Sequence, residues 1–220
     1  MVTPRVGVLS LQGDFARHRE ALEALGVEAC TVTLPRDLEG VAALVIPGGE
    51  STTLLRLIEA TGLRAPLERF LRESPALGTC AGVILLGRDG ERLPHPPFGV
   101  LDVGVARNAY GRQIDSFVAP LDMPVAGGRI EGVFIRAPRL TRIGPGVEVI
   151  ARRPEGAPGA GEIVGVRAGR LVGLCFHPEL TPDRRVHRWF LRDVAGLPLA
   201  AEPAAVLRSP RHRAMRVEAL

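Results

Sequence analysis

The segment that decides the fold is Leu77-Gly78-Thr79-Cys80-Ala81-Gly82-Val83-Ile84-Leu85-Leu86. Residues 75–77 favour a short buried strand, and residues 83–86 are apolar enough for a buried helix. The Gly-x-Cys-x-Gly pattern between them predicts a sharp strand-to-helix turn, because a strained apex residue needs neighbours without a Cβ atom. A thiol there lies at a helix N-terminus, whose partial positive charge favours the nucleophilic thiolate. The segment alone also fits a small buried cysteine.

The composition is typical of one α/β domain. The chain has 220 residues, of which 46% are hydrophobic, and contains 26 glycines and 19 prolines. All 28 basic residues are arginine, which excludes a lysine nucleophile or Schiff base. The net charge is +4, but most of the excess lies in residues 208–220, so no general nucleic-acid-binding surface is expected.

Cysteine usage and hydropathy indicate a reduced, cytoplasmic protein. Cys30, Cys80 and Cys175 are too far apart in sequence for a disulfide framework or a CxxC metal site. The N-terminus enters a strand pattern without a signal peptide, and no apolar run reaches membrane-spanning length. We therefore expect a cytoplasmic location and no membrane association.

Alternating strands and helices predict a flavodoxin-like, doubly wound and mostly parallel sheet, with helices on both faces in three α/β/α layers. The middle of the chain turns strand-like and antiparallel, which predicts an extension of the sheet. We predict strands over residues 5–11, 27–33, 41–46, 75–77, 98–105, 113–118, 132–138, 147–151, 162–167 and 171–176. Predicted helices cover residues 15–25, 54–60, 66–73, 83–86 and 182–194. Residues 1–196 are expected to form a single domain, followed by a weakly ordered Pro/Ala/Arg-rich tail at 197–220.

Ligands of such folds bind at the carboxyl ends of the strands, where two notable groups of residues occur. Pro47-Gly48-Gly49-Glu50-Ser51-Thr52-Thr53 follows the third strand, with Ser51 or Thr52 as the expected helix cap and free glycine N–H groups that can face a ligand. An ordinary capped turn fits this segment as well. Arg107 and Arg136 end strand-like segments. Such arginines are usually solvated, but two that return toward Cys80 would form a carboxylate site.

His177-Pro178-Glu179 supplies the partners that a nucleophilic cysteine needs. In an extended segment His177 and Glu179 fall on the same side, which gives Cys80 a base and an orienting acid. Ala81 could donate one N–H to an oxyanion, and Gly48 or Gly49 the other.

The other histidines and a possible metal site are assigned no catalytic role. A rival metal site would use Cys175, His177 and Glu179, but ligands at period two from one strand rarely surround zinc, so no metal is expected. His18, His95 and His187 are interpreted as packing or surface residues.

Besides Cys80, His177 and Glu179, several short segments with distinctive sequences occur between residues 9 and 190. They are Leu11-Gln12-Gly13, Pro47-Gly48-Gly49-Glu50-Ser51-Thr52, Arg107-Asn108, Gly111-Arg112-Gln113, Asp115-Ser116-Phe117, Phe134-Ile135-Arg136-Ala137-Pro138 and His177-Pro178-Glu179-Leu180. With Gly78-Thr79-Cys80-Ala81-Gly82, this set resembles the class I (triad-type) glutamine amidotransferases. Within that family, it is most similar to the glutaminase subunits of pyridoxal 5'-phosphate synthase.

The resemblance implies hydrolysis of L-glutamine to L-glutamate and ammonia, with no cofactor. Cys80 would form a γ-glutamyl thioester, with His177 as acid and base and Glu179 as its orienting partner. The residues that would contact glutamine are Gly48, Gly49, Glu50, Arg107, Ile135 and Arg136. Of the two glycines that could complete the oxyanion hole with Ala81, we expect Gly49 to do so.

The resemblance also implies a protein partner. The ammonia would pass to a synthase subunit that makes pyridoxal 5'-phosphate, in vitamin B6 biosynthesis. The segment around Gln12 would face that partner, and docking would complete the oxyanion hole. The last 24 residues depart from the family pattern and receive no role.

Two alternatives come from other functional classes. A general cysteine hydrolase or deglycase on a related sheet would carry an acidic residue beside the elbow cysteine on another strand, and would have no use for Arg107-Asn108. A non-catalytic binding subunit would have no need for Cys80, His177 and Glu179 together.

Overall fold

The computed structural model of the chain describes residues 3–90, 93–107, 109 and 116–199. Within these residues the strands are β1 (Arg5–Leu9), β2 (Glu28–Val32), β3 (Ala43–Ile46), β4 (Ala76–Thr79), β5 (Asp89–Gly90), β6 (Val103–Ala106), β7 (Phe117–Met123), β8 (Gly128–Phe134), β9 (Arg139–Ile143), β10 (Glu148–Arg152), β11 (Ile163–Ala168) and β12 (Leu171–Leu174). The helices are α1 (Phe15–Glu23), α2 (Ser51–Ala60), α3 (Arg64–Glu73), α4 (Ala81–Leu86) and α5 (Arg185–Trp189), which continues as a π-helical turn, Phe190–Val194.

The strands of the described chain form a nine-stranded sheet in the order β2-β1-β3-β4-β12-β11-β10-β7-β8. Neighbours from β2 to β12 are parallel, and those from β12 to β8 are antiparallel. The predicted mostly parallel sheet with an antiparallel extension is confirmed. A smaller sheet pairs β5 with β6 and β6 with β9.

Helices cover both faces of the sheet at β4. A Cβ atom on Gly78 would lie 2.7 Å from the Gly82 carbonyl group, so α4 packs on that face. The next side chain points to the opposite face, where Thr79 Oγ1 lies 3.1 Å from His18 Nε2 of α1. Because β4 is buried on both sides, all of its residues are buried, as expected for a central parallel strand.

Four neighbouring parallel strands end at the same edge of the sheet. The chain leaves β1 toward Gln12, β3 toward Gly48, β4 at Cys80 and β12 toward His177. The topology therefore brings together residues that are up to 165 positions apart in sequence, at the edge where ligands of such sheets bind.

Several predicted boundaries were wrong. The strand predicted over residues 98–105 begins only at Val103, and the helix predicted over 182–194 begins at Arg185. Strand β9 was not predicted. Most of the tail prediction, from residue 200 onward, lies outside the described residues. Among the helices of the described ranges, none has the length and apolar character required to cross a bilayer.

Candidate active site

The turn at Cys80 has the strained shape that its sequence predicts. Cys80 has a φ of 49° and a ψ of −106°, which residues with a side chain rarely adopt. Gly82 allows the turn to pack, since a Cβ atom there would lie 2.1 Å from the carbonyl oxygen of Ile46 at the end of β3. The thiol is thereby held between β4 and α4, at the wall of a cavity.

His177 and Glu179 form a buried hydrogen-bonded pair. His177 Nδ1 lies 2.6 Å from Glu179 Oε1. Because an ionised carboxylate only accepts hydrogen bonds, His177 Nδ1 carries a proton, and this N–H donates a hydrogen bond to Glu179. The predicted extended segment is wrong: Pro178–Leu180 is a 3-10 turn, and Pro178 occupies its first position, where a missing N–H costs little.

The environment of this pair favours its charged form. Burial alone would lower the pKa of His177, but Cys80 and the Glu179 carboxylate outweigh it and raise that pKa to about 10. Burial alone would raise the pKa of Glu179, but His18 and His177 lower it to about 2. Both shifts favour an imidazolium beside a carboxylate at neutral pH.

The imidazole and the thiol meet at the backbone of Gly48. A Cβ atom on Gly48 would lie 2.3 Å from His177 Cε1 and 3.3 Å from Cys80 Cβ, so only a bare backbone fits there. His177 Nε2 is buried and has no hydrogen-bond partner in the described part of the chain. The Cys80 thiol lies 3.8 Å from the carbonyl oxygen of Ile135. His177 Nε2 is therefore available to exchange a proton with the thiol.

Gln12 is hydrogen-bonded to the glycine turn at residues 48–50, which follows β3. Its Oε1 accepts a hydrogen bond from the backbone N–H of Glu50 at 2.7 Å. Gly13, with a φ of 98°, allows the two turns to touch, because a Cβ atom there would lie 1.8 Å from the Gly48 oxygen. The structure therefore gives Gln12 a local contact within the site, and its role toward a partner stays a prediction.

Glu50 caps α2 and pairs with Arg107. Its Oε2 accepts hydrogen bonds from the Thr53 backbone N–H at 2.8 Å and from the hydroxyls of Thr52 and Thr53. Its Oε1 lies 3.1 Å from Arg107 Nη2. Although burial opposes it, the hydrogen bonds from Thr52 and Thr53 lower the pKa of Glu50 to about 2. The prediction that Ser51 or Thr52 caps the helix was wrong, because the longer Glu50 side chain folds back onto the free N–H groups.

The end of β8 closes the other side of the site. The backbone N–H of His177 donates to the Val133 carbonyl oxygen at 2.8 Å, which ties the ends of β12 and β8 together. Ile135 and Arg136 follow and line the cavity. Arg136 has a φ of 43°, a second left-handed residue at this site.

The cavity that these segments enclose has a volume of about 370 Å³, within the usual range for small-molecule sites. Its lining contains all the predicted site residues except Glu179, which supports His177 through its hydrogen bond. The lining residues are Gln12, Gly13, Asp14, Gly48, Gly49, Glu50, Ser51, Cys80, Ala81, Ile84, Arg107, Ile135, Arg136 and His177. The predicted segments at 108 and 111–115 lie outside the described residues.

Sequence reasoning missed two residues behind the pair. His18 and His187 are fully buried, and His18 Nε2 lies 3.2 Å from Glu179 Oε2. The sequence feature that could have indicated the burial of His18 is its helical spacing. His18 precedes the buried Leu22 by four positions, so both side chains lie on the core face of α1.

The remaining titratable candidates lie away from the reactive groups or are buried. His95 is 39% exposed, 3.9 Å from Glu59. Cys175 is buried, which raises the pKa of its thiol. Within the described residues, no group of three or more His, Cys, Asp or Glu side chains is placed to hold a metal ion.

Comparison with known proteins gives one consistent family. The model of the SNO glutamine amidotransferase family matches residues 8–196. Proteins named pyridoxal 5'-phosphate synthase subunit PdxT from Koribacter versatilis and Pelotomaculum thermopropionicum are 47% and 48% identical to this chain. The alignments cover 86% and 85% of this chain and 95% and 93% of those proteins.

Solved structures agree with this match. One described as a glutamine amidotransferase has a TM-score of 0.78 and 46% identity, covering 87% of this chain and 99% of its own. PurLQS from Thermotoga maritima, with a TM-score of 0.65 at 21% identity, shares the fold. The family match spans most of the chain and includes every residue of the site just described. This chain belongs to the SNO glutamine amidotransferase family.

Proposed function

We propose that this chain is the glutaminase subunit of a pyridoxal 5'-phosphate synthase. It hydrolyses L-glutamine to L-glutamate and ammonia and delivers the ammonia to a synthase subunit, in a hetero-oligomer that serves vitamin B6 biosynthesis. The single observation that carries the chemistry is the buried His177–Glu179 pair, 2.6 Å apart, beside Cys80 at a strained turn. The names of the PdxT relatives supply the partner.

The first half of the reaction forms a thioester. His177 Nε2 holds the proton of the Cys80 thiol, and the thiolate attacks the side-chain amide carbon of glutamine. The backbone N–H groups of Ala81 and Gly49 receive the oxyanion. As the C–N bond breaks, His177 transfers the proton that it took from the thiol to the leaving nitrogen, which departs as ammonia. Glu179 keeps the imidazole in place throughout.

The second half releases glutamate. Neutral His177 removes a proton from water, and the hydroxide adds to the thioester carbonyl carbon. The C–S bond breaks, and Cys80 and His177 return to their starting states. No cofactor takes part in the proposed reaction.

Substrate recognition rests on the charges at the cavity wall. A free amino acid carries an ammonium and a carboxylate on its α-carbon, and Glu50 and Arg107 offer the complementary charges. They are paired with each other at 3.1 Å, so glutamine would replace one ion pair by two. The backbones of Gly48, Gly49, Ile135 and Arg136 complete the proposed glutamine pocket.

The cellular setting is part of the same proposal. The described cysteines are free, which supports a reducing, cytoplasmic location.

The test is ammonia release from glutamine by the purified chain, with and without its co-encoded synthase. The wild type should be active, and the synthase should raise the turnover several-fold. Cys80→Ala should abolish turnover and keep synthase binding, whereas Cys30→Ala, at a partly exposed cysteine of β2, should match the wild type. Residual turnover in Cys80→Ala would contradict the nucleophile, and equal turnover with and without synthase would contradict the activation.

A further inference from the structure

Two buried histidines lie in a row behind Glu179. His177 is hydrogen-bonded to one carboxylate oxygen, Oε1. The other oxygen, Oε2, lies 3.2 Å from His18 Nε2, at a distance of electrostatic attraction but without a hydrogen-bond partner in the described part of the chain. The same His18 nitrogen lies 3.1 Å from Thr79 Oγ1. The other nitrogen of His18, Nδ1, lies 3.0 Å from His187 Nε2. All of these side chains are buried.

The Glu179 carboxylate determines which ring nitrogen of His18 and of His187 carries the proton. A nitrogen lone pair of His18 facing Glu179 Oε2 would repel the carboxylate, so His18 Nε2 carries the proton. A neutral His18 then has its lone pair on Nδ1 and must accept a hydrogen bond from His187 Nε2–H. This leaves the lone pair of His187 Nδ1 without a partner, as observed in the described part of the chain. An unpaired lone pair is cheaper to bury than an unpaired N–H.

Both histidines are held neutral by their surroundings. Burial lowers the pKa of His18, although Glu179 acts in the opposite direction. Burial lowers the pKa of His187 to about 3. The other charges that act on the two rings are His177, Asp14, Asp183 and Arg184. They come from the turn before α1, the end of β12 and the segment before α5, and they oppose one another in sign.

We propose that His18 is a positioning residue for the triad: its buried Nε2–H, 3.2 Å from the second oxygen of Glu179, attracts that oxygen so that the first stays aligned with His177. This rests on the proposed function of Cys80, His177 and Glu179. His18 is absent from the cavity lining, so it acts on the reaction through Glu179. His187 fixes the tautomer of His18. Thr79, adjacent to Cys80, anchors the same His18 nitrogen to β4.

A pair of amide substitutions tests this geometry. In His18→Gln the amide nitrogen reaches the place of Nε2, whereas in His18→Asn it reaches only the place of Nδ1. Assayed with the synthase, His18→Asn should lose kcat by about tenfold or more with KM for glutamine unchanged, as expected when a polar group that orients a catalytic side chain is lost. His18→Gln should stay within about threefold of the wild type.

The pH profile separates positioning from packing. Without the His18 Nε2–H dipole beside Oε2, Glu179 accepts a proton more readily, so the acidic limb of kcat in His18→Asn should move to higher pH. The matched control is Leu22→Ala, one helical turn away on the same buried face, which should lower the melting temperature without changing kcat. His187→Phe should lower kcat less than His18→Asn does, and it serves as the second variant if His18→Asn does not fold.

The outcomes of these measurements decide whether His18 positions Glu179 or only packs in the core. Equal kcat in His18→Gln and His18→Asn, or an unchanged kcat in His187→Phe, would overturn the proposal. A second measurement, which needs no glutamine, is the rate at which iodoacetamide alkylates Cys80 at a series of pH values. In His18→Asn the pH range over which this rate increases should also shift to higher pH. If the wild type releases no ammonia while this shift is present, the proposed function fails and the positioning role stands. If the shift is absent, the positioning role fails.

Discussion

Glu50 is held on both of its oxygens, by its own helix on one side and by Arg107 on the other. Arg107→Ala should therefore raise the KM for glutamine by about tenfold with little change in kcat, because it removes a charge that binds substrate and transition state alike. The Arg107 side chain is 19% exposed and that of Glu50 is 45% exposed, so the loss of the pair should cost less than about 1 kcal/mol of stability. Steady-state kinetics and thermal unfolding check both statements.

The control for this prediction is Arg139→Ala, since Arg139 pairs with Glu162 and does not line the cavity. It should keep the KM of the wild type. A fall in kcat with unchanged KM in Arg107→Ala would contradict the binding role, because it would place Arg107 in the transition state only.

The His177–Glu179 pair should make stability depend on pH. The pKa of His177 rises from its ordinary 6.5 to about 10, so its contribution is complete below pH 6.5 and is lost as pH rises toward 10. The pKa of Glu179 falls from 4.5 to about 2, so its contribution is complete above pH 4.5 and is lost as pH falls toward 2. The pair therefore stabilises the fold most between pH 4.5 and 6.5.

Glu179→Gln measures this contribution. The difference in melting temperature between wild type and variant should be larger at pH 5.5 than at pH 8.5 by at least about 3 °C, which corresponds to roughly 1 kcal/mol in a chain of this size. Taking the difference removes the titration of groups common to both proteins. A difference that is constant from pH 5.5 to 8.5 would contradict a charged pair in the folded state.

The elbow between β4 and α4 depends on close backbone contact more than on any side chain. Gly82→Ala places a Cβ atom 2.1 Å from the Ile46 carbonyl oxygen, and a strand backbone in the core cannot move away. Gly104→Ala brings its Cβ atom within 2.8 Å of Thr141 Oγ1, a side-chain end that can rotate. Neither position has a left-handed backbone. Urea unfolding should show a loss of about 3 kcal/mol for Gly82→Ala and about 1 kcal/mol for Gly104→Ala. Equal losses would contradict the role of close packing.

The elements that sequence reasoning located are those whose pattern is local. Strand β3 is continuously apolar and buried on both faces, so four residues suffice to identify it. Strand β9 has a mainly exposed pattern at the edge of the small sheet and was missed. Its pairing with β6 is a long-range contact that periodicity does not encode.

The site shows the same limit. Cys80, His177 and Glu50 occur in short motifs whose chemistry can be read directly from the residues. The 3-10 turn that joins His177 to Glu179 and the cap formed by Glu50 depend on backbone angles. His18 becomes visible as a neighbour of Glu179 only after α1 packs on the face of β4 opposite α4.

Across the whole molecule, the site is assembled from the ends of four parallel strands together with residues that follow β6 and β8, and residues 197–199 contribute to the packing of the core. Leu197 and Leu199 pack against the core, and the Leu197 N–H donates to the Leu191 carbonyl oxygen at 2.9 Å. The family match ends at residue 196.

A chain cut after Leu199 should therefore keep the melting temperature of the full chain within about 1 °C, and keep its glutaminase turnover with the synthase. A chain cut after Ala195 loses both leucine contacts, each worth roughly 1 kcal/mol when partly buried, and should melt several degrees lower. If the cut after Leu199 already lowers turnover or melting temperature, residues 200–220 belong to the working protein, and the predicted domain boundary at residue 196 is wrong.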